Sequence, residues 1–256
     1  MNARMLAAGL FLLSESGCGG TPPAAPTPVV APRSAEPRTT AAEVLEQARK
    51  AYQARASYGD YGYVEVRGED GVGDARLRFF TVFQRPEELV FAFGYQLMAT
   101  ENGRVPCFGY ALHARASGDT LSWDSDRGEV RHASVRAAMA EIGGVAVGGS
   151  GLVPKLLLPN VLAGDSVLRI GGARMLQPER IEHLSYMRVA GTRQFGEEVV
   201  LYISDDLFLK RVSGPDYTVT YDYGNATGVL AEQAGRVDLE RLGSSMCGNP
   251  SRDERG

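Results

Sequence analysis

The sequence predicts an α+β fold in which helices gather on one face of a long antiparallel sheet. Three observations predict it. A helical pattern occupies residues 40–53, and apolar side chains then recur at every second position through residues 58–132 and again through residues 181–223. Short helical segments separate these two strand runs. Because successive strands joined by short turns pair antiparallel, we expect one sheet, with residues 40–248 forming a single domain.

The chain begins with the features of an export signal. Arg4 provides a positive charge, and the apolar run at residues 5–13 is too short to cross about 30 Å of hydrocarbon as a helix. Small residues then precede Cys18, a pattern that resembles the lipobox of bacterial lipoproteins. The resemblance implies a lipoprotein signal peptide at residues 1–18 and a Cys18 thiol acylated with diacylglycerol, which anchors the protein in a membrane. Glu15 stands where that family has an apolar residue, so an ordinary cleaved signal with an incidental cysteine is the alternative.

A proline-rich segment follows the cysteine. Residues 19–39 contain six prolines among Ala, Thr and Val, a composition that cannot bury a core and favours extended conformations. We therefore expect a disordered tether between the lipid and the domain, and a disordered tail at residues 249–256. Gly19, rather than Asp, favours the outer membrane under the enterobacterial sorting rule, with the domain facing the periplasm.

Thr40 and Glu43 predict the start of the first helix. A Thr at the cap and a Glu three residues later form a capping box, in which each side chain satisfies a backbone N–H of the other residue. The apolar residues that follow share one helical face, and they are Val44, Leu45, Ala48, Ala51 and Tyr52. Charged and polar residues line the opposite face, so we expect an amphipathic helix packed on an apolar surface.

The first strand run predicts six strands separated by turns. These are residues 58–67, 75–85, 89–95, 105–116, 119–123 and 129–132. In the second strand one face carries Leu77, Phe79, Thr81 and Phe83, and the other carries Arg76, Arg78, Phe80 and Gln84. The run Asp124-Ser-Asp126 resembles the start of a calcium loop, but no glutamate follows at the twelfth position, so we expect a turn.

The middle of the chain is predicted to contain two short helical segments separated by a glycine-rich run. Residues 134–140 predict a short helix, residues 143–151 are rich in glycine, and residues 152–158 predict a strongly apolar helical piece. The second strand run then predicts four strands and one short final element. These are residues 181–190, 197–204, 207–212, 217–223 and 236–242.

Charge and residue content argue against several function classes. A net charge of -4 and a pI near 5.5 lack the basic footprint of a nucleic-acid-binding protein. His113, His132 and His183 show no metal-ligand spacing, so no metal centre is expected. The sequence also lacks a Gly-x-Ser-x-Gly elbow, a P-loop and a dinucleotide fingerprint. We therefore expect no cofactor and no enzymatic activity.

Two cysteines remain after Cys18. In an oxidising periplasm, Cys107 in the middle of the chain and Cys247 near its end suggest a disulfide that would pin the C-terminal part to the sheet. The alternative is one buried thiol and one free thiol.

Several segments resemble the lipoprotein-carrier superfamily of LolA, LolB and related periplasmic lipoproteins. The resemblance rests on the segment Phe83-Gln-Arg-Pro86-Glu-Glu-Leu-Val-Phe91, on the helical residues 42–52, and on the late strands around residues 201–203 and 209–212. It covers roughly residues 40 to 225. It implies a single curved antiparallel sheet, an incomplete β-barrel, with helices covering the concave side and an apolar cavity for acyl chains between them.

The resemblance also implies candidate site residues. The candidates for the ligand cavity are Leu77, Phe79, Phe83, Leu89, Phe91, Phe93 and Tyr95; the alternative is that they fill a dry core. Arg85 matches an arginine that latches the helical lid in the LolA carrier, a role that suits a planar guanidinium able to bond several carbonyls. The alternative is an ordinary arginine at the end of a strand. The glycine-rich run beside residues 152–158 would make a mobile lid, or equally a surface loop.

These features lead to three hypotheses for function. The first is a cell-envelope lipoprotein that binds lipid or the acyl chains of a lipoprotein, for transport or reception, since an anchored domain can receive or present a lipid but cannot ferry it freely. The second is a structural or sensing lipoprotein that uses the sheet to contact another envelope protein. The third and weakest is a hydrolase, for which a pocket joining His183 with Ser and Asp side chains would be the sign.

Overall fold

The structure is a computed structural model. It describes residues 39–67, 75–86, 88–97, 107–115, 118–142, 151–162, 168–193, 196–223 and 237–247. The signal peptide with Cys18, residues 19–38 of the tether, residues 143–150 of the glycine-rich run, and the tail predicted for residues 249–256 lie outside the described residues.

The described residues form five helices and eleven strands. The helices are α1 Ala41–Ala54, α2 Val135–Ile142, α3 Leu152–Leu157, α4 Pro159–Leu162 and α5 Leu239–Ser245. The first six strands are β1 Ser57–Val66, β2 Ala75–Gln84, β3 Glu88–Leu97, β4 Cys107–Ala114, β5 Thr120–Asp124 and β6 Gly128–His132. The other five are β7 Gly171–Ile181, β8 Leu184–Thr192, β9 Glu198–Ile203, β10 Leu209–Ser213 and β11 Tyr217–Tyr223.

All eleven strands belong to one antiparallel sheet, in the order β6-β5-β4-β3-β2-β1-β11-β10-β9-β8-β7. Within each strand run the neighbours in sequence are neighbours in the sheet. The two runs meet where β1 pairs with β11, with Val64 opposite Val219. Because β6 and β7 form the two edges and do not pair, the sheet is open. The predicted fold class, α+β with one open antiparallel sheet, is confirmed.

The predicted capping box starts α1. The Thr40 hydroxyl accepts a hydrogen bond from the Glu43 amide at 3.3 Å, and the Glu43 carboxylate accepts one from the Thr40 amide at 2.7 Å. These two bonds satisfy backbone donors that have no partner inside the helix. The apolar face of α1 is then buried, with Ala48 and Tyr52 both at 0% exposure.

Side chains alternate between the two faces of the sheet, and each face carries an apolar cluster. The face against α1 to α4, which we call the helix face, carries the larger cluster; its strand members include Leu77, Phe79, Phe83, Leu89, Phe91, Phe93, Tyr110 and Leu112. The opposite face, which we call the outer face, carries a smaller cluster of Phe80, Val82, Val90, Ala92 and Ala111, packed with Val237 and Leu239. A strand whose two faces are both covered therefore contributes side chains to two separate hydrophobic cores.

The final helix, α5, lies on the outer face against β3, β4 and β5. A Cβ placed on Gly109 would come within 2.6 Å of the Gly243 carbonyl oxygen, and one on Gly94 would collide with the Met246 carbonyl. The helix backbone can approach the sheet this closely because neither strand residue has a side chain. A disulfide between Cys107 on β4 and Cys247, two residues beyond α5, joins the same elements.

Strand β7 was not predicted. Its side chains are mostly exposed along all eleven residues, because β7 is an edge strand with neither face fully covered. Such a strand lacks the alternation of apolar and polar residues that marks the others. The predicted strand at residues 181–190 is also misplaced, since Ile181 ends β7, Glu182 turns the chain with a φ of 59°, and β8 begins at Leu184.

Candidate functional site

The helix face is the candidate ligand-binding region. Six of the seven predicted cavity residues, Leu77, Phe79, Phe83, Leu89, Phe91 and Phe93, are only 0 or 1% exposed, and Tyr95 is partly buried. They lie on adjacent strands, with Phe79 opposite Phe93 and Phe83 opposite Leu89. Ring contacts continue across the sheet, from Phe93 to Tyr110 at 5.3 Å between centroids. In this conformation the helices seal these side chains within one apolar cluster.

A cleft opens onto this cluster beside α1. It has a volume of about 480 Å³ and lies between α1 and residues 168–173. Its lining consists of Ala42, Leu45, Glu46, Arg49, Leu168, Arg169, Ile170 and Ala173. Leu45, Leu168 and Ile170 are themselves members of the helix-face cluster, so the apolar wall of the cleft is continuous with the interior. At the cleft Arg49 forms an ion pair with Glu46 at 2.6 Å, and Arg169 adds a positive charge.

Arg85 lies just beyond the end of β2, at the other end of α1 from the helix cap. Its Nε donates to the Arg55 carbonyl at 3.0 Å and its Nη2 to the Gln53 carbonyl at 2.5 Å. The Arg85 backbone amide donates to the Ala56 carbonyl at 2.8 Å. Carbonyls in the last turn of a helix lack partners within the helix, and a guanidinium can bond two of them at once. One side chain thus joins the end of β2 to the end of α1.

A buried carboxyl group lies on the helix face close to α1. Asp60 is 0% exposed; its Oδ2 accepts a hydrogen bond from the Tyr58 hydroxyl at 2.7 Å, and its Oδ1 has no hydrogen-bond partner. Burial raises the pKa of Asp60 to about 7, although the Tyr58 hydroxyl opposes the shift. Asp60 was not among the site residues predicted from the sequence. Alternation along the strand could have identified it, because Asp60 shares the inward face of β1 with Tyr58 and Val64.

Tyrosines connect the same region to α1. The Tyr52 hydroxyl lies 3.1 Å from the Tyr223 hydroxyl and accepts a hydrogen bond from the Leu209 amide, also at 3.1 Å. Tyr223 donates to the Leu209 carbonyl. The Tyr52 and Tyr58 rings lie 5.5 Å apart. Helix α1 is therefore held to β10 and β11 by polar contacts inside an otherwise apolar interface.

A second polar cluster lies on β5, β6 and α2. Ser122 Oγ lies 2.6 Å from His132 Nε2, and His132 Nδ1 lies 3.6 Å from the Glu141 carboxylate. This order of groups resembles that of a nucleophilic triad, which sequence spacing had not suggested. Ser122 is 0% exposed and lies within a strand paired on both sides, so a substrate carbonyl has no path to its oxygen in this conformation. His183, the histidine named for the hydrolase hypothesis, is instead exposed in the turn after β7.

Other site chemistry is limited in the part of the chain that the structure describes. No group of three metal-ligating side chains occurs among these residues. Asp124 Oδ1 accepts hydrogen bonds from the amides of Asp126 and Arg127, at 3.0 and 2.7 Å, so this segment forms a turn as expected. Of the five helices described, none is long and apolar enough to cross a membrane.

Comparison with known proteins finds similarity at the level of solved structures. No protein-family model and no curated protein sequence matches the chain. It is similar to LprF from Mycobacterium bovis, at 13% identity and a TM-score of 0.45, over 72% of this chain and 93% of that one. It is also similar to a chain of the MucA/MucB complex of Pseudomonas aeruginosa, at 12% identity and a TM-score of 0.37, over 76% of this chain and 61% of that one.

A third similar structure comes from Vibrio parahaemolyticus and is described as an outer membrane lipoprotein-sorting protein domain. Its identity is 9% and its TM-score 0.30, over 80% of this chain and 99% of that one.

Proposed function

We propose that this chain is a cell-envelope lipoprotein, anchored through Cys18, that binds lipid or lipoprotein acyl chains between its helices and the helix face of its sheet. The observation that supports the proposal most is the cleft beside α1. Its apolar wall of Leu45, Leu168 and Ile170 continues into the helix-face cluster, so an acyl chain entering there would remain in contact with apolar side chains.

The size and charge of the cleft suit such a ligand. A volume of about 480 Å³ lies within the usual range for small-molecule sites, roughly 300–1,000 Å³. Each methylene group that leaves water contributes about 0.8 kcal/mol, so even a partly enclosed chain gains several kcal/mol. Arg169 would favour a ligand whose head group is anionic.

Arg85 supports a mechanism of entry. The predicted cavity residues are sealed in the conformation described, so a long acyl chain can reach them only if a covering helix moves. Arg85 holds the end of α1 by two hydrogen bonds to backbone carbonyls. If these bonds and those of Tyr52 to Leu209 and Tyr223 broke together, α1 could move and the cleft along its side could widen. Arg85 is thus proposed as a latch, and Leu77, Phe79, Phe83, Leu89, Phe91, Phe93 and Tyr95 as the surface exposed when it opens.

The predicted anchor defines the role of such a domain. A domain held to the outer membrane by a lipid and a proline-rich tether can receive or present acyl chains at that membrane. If Cys18 is not acylated and the signal is simply cleaved, the same binding site would serve a soluble carrier.

Extraction of bound lipid tests the proposal. The Cys18→Ser chain, which cannot carry its own lipid, is purified from a bacterial envelope fraction and its organic extract is analysed by mass spectrometry. We expect the Cys18→Ser chain to carry stoichiometric lipid. The same chain with the added substitution Arg85→Leu should carry a different amount of lipid. The matched control is Arg180→Leu, an exposed arginine on β7, which should leave lipid content unchanged. Absence of lipid from both chains would contradict the proposal and favour a sensing lipoprotein that contacts another envelope protein.

A further inference from the structure

The size of the cleft beside α1 limits how many acyl chains it can hold. A methylene group is about the size of a water molecule, which occupies about 30 Å³ in the liquid. The cleft volume of about 480 Å³ therefore matches a single chain of about sixteen carbons. A ligand with two or three chains of that length would need roughly two or three times this volume. The volume thus favours a ligand with one chain.

Small side chains keep the cleft open between a helix and a strand. Ala42 lies on α1, and Ala173 lies on β7, which packs beside this helix. Ala42 is exposed and Ala173 is half-buried, so neither methyl group fills the space. The other apolar residues of the lining, Leu45, Leu168 and Ile170, are 5 to 8% exposed, so each still presents some surface to the cleft. A slot of this kind suits an unbranched chain.

The acidic residue of the cleft lining, Glu46, is already paired. Its carboxylate accepts two hydrogen bonds from the Arg49 guanidinium, at 2.9 and 2.6 Å, and lies 3.5 Å from the Lys50 ammonium group. Arg49 also donates to the side chain of Gln53 at 3.2 Å. Because these groups bind one another along α1, neither Glu46 nor Arg49 determines which head group the cleft accepts.

Arg169 supplies the charge that remains at the cleft. Its side chain is exposed, while its neighbours in sequence, Leu168 and Ile170, are buried in the helix-face cluster. Among the residues that the structure describes, no ion pair involves Arg169. An exposed guanidinium can bind a carboxylate through two parallel hydrogen bonds. Arg169 can therefore hold an anionic head group at the surface while the attached chain enters the cleft.

We propose that the cleft selects an amphiphile with one acyl chain and one anionic head group, a fatty acid in the simplest case, with Arg169 as the ligand of the head group. This assignment deepens the proposed function and rests on it, since both place the ligand in the same cleft. The chain lies between α1 and β7 against the apolar lining. A neutral amphiphile of equal length lacks the contact with Arg169, and a lipid with two chains exceeds the space.

The test is calorimetric titration of the full chain carrying Cys18→Ser with decanoate, kept below its critical micelle concentration. We expect saturable one-to-one binding that Arg169→Gln weakens at least fivefold, about 1 kcal/mol. The control Arg180→Gln makes the same charge change at the other end of β7 and should weaken binding less than twofold. Decanol, which has no charge, should bind the chains with and without Arg169→Gln equally. Thermal unfolding of each variant verifies that it is folded.

A tryptophan placed in the cleft tests where the chain lies. Ala42→Trp should abolish decanoate binding. Gln47→Trp, at an exposed position of α1 outside the cleft lining, is the matched control and should leave binding unchanged. Equal effects of the two tryptophans, or of Arg169→Gln and Arg180→Gln, would overturn the assignment.

Dihexanoyl phosphatidylglycerol tests the number of chains, and we expect it not to bind. Binding of this two-chain lipid as tightly as decanoate, or in its place, would overturn the single-chain assignment and leave the proposed function standing. Absence of binding by either lipid to the folded protein would contradict both proposals.

Discussion

Arg85 donates a hydrogen bond from Nη2 to the carbonyl oxygen of Gln53 at 2.5 Å, joining the end of β2 to the last turn of α1. The same guanidinium reaches the Arg55 carbonyl through Nε. The side chain is exposed, yet it bonds backbone atoms of a helix whose other face is fully buried. A surface residue thereby contributes to holding a helix that covers the apolar interior.

Replacement of Arg85 by Leu should loosen the end of α1. Two hydrogen bonds from a charged donor are lost, and at this exposed position we expect a cost of about 1 kcal/mol in the free energy of unfolding. Hydrogen exchange should accelerate in the last turn of α1 and remain unchanged in β9. Arg85→Lys, which can keep one bond but not two, should fall between the parent and Arg85→Leu. Equal exchange in all three proteins would show that Arg85 does not hold the helix.

The buried Asp60 predicts an unusual dependence of stability on pH. Its pKa is about 7 in the folded protein against 3.8 for the unperturbed group. Well below pH 4 the carboxyl is protonated in both states and has no effect. As the pH rises from 4 to 7 the unfolded chain loses the proton first, so stability falls; above 7 the full penalty applies.

Asp60→Asn should therefore stabilise the protein at high pH. The pKa difference of about three units corresponds to at most about 4 kcal/mol of unfolding free energy, since each unit is worth about 1.4 kcal/mol. Urea unfolding at pH 8 should show a large gain and unfolding at pH 4 little difference. Asp205→Asn in an exposed turn is the matched control and should not show this trend. A gain that is independent of pH would contradict the assignment.

Gly109 should be intolerant of a side chain. An added Cβ would lie 2.6 Å from the Gly243 carbonyl oxygen, and this backbone atom can move only if α5 shifts away from the sheet. We expect Gly109→Ala to lower the free energy of unfolding by about 2 kcal/mol. Gly151→Ala is the control, because its nearest neighbour would be a Met139 atom at 3.8 Å. Equal unfolding curves for the two variants would show that α5 does not pack tightly.

The disulfide between Cys107 and Cys247 should stabilise the fold by restricting the unfolded chain. The two cysteines are 140 residues apart, and the loop-entropy model assigns about 5 kcal/mol to a loop of this length, while measured values are usually about 2–4 kcal/mol. Reductant and the double variant Cys107→Ser, Cys247→Ser should lower stability by the same amount. A loss with reductant but not with the double variant would point to another cause.

The sequence predicted the helices and strands that are marked by capping residues or by a regular alternation of buried and exposed side chains. Thr40 and Glu43 marked the start of α1, and alternation from Leu77 to Phe83 assigned the faces of β2 correctly. These signals are local, since each depends on residues a few positions apart. Strand β7 was not predicted because its side chains are mostly exposed and its apolar residues do not recur at every second position.

Contacts between distant residues could not be predicted in this way. Ser122, His132 and Glu141 come together because β5, β6 and α2 pack side by side, and spacing along the chain does not reveal it. The pairing of β1 with β11 likewise joins residues about 155 positions apart, such as Val64 and Val219. Arg85 was singled out through family resemblance, whereas its partners Gln53 and Arg55 emerged only from the structure.

The location of a bound acyl chain tests the central claim most directly. The Cys18→Ser chain would be crystallised with a fatty acid carrying bromine at the end of its chain, and the bromine would be located by anomalous scattering. We expect the bromine in contact with helix-face residues such as Phe91, Leu77 or Leu156, and the carboxylate near Arg169. Bromine on the outer face alone, or no ordered bromine under conditions in which binding is saturated, would contradict binding in the helix-face interior.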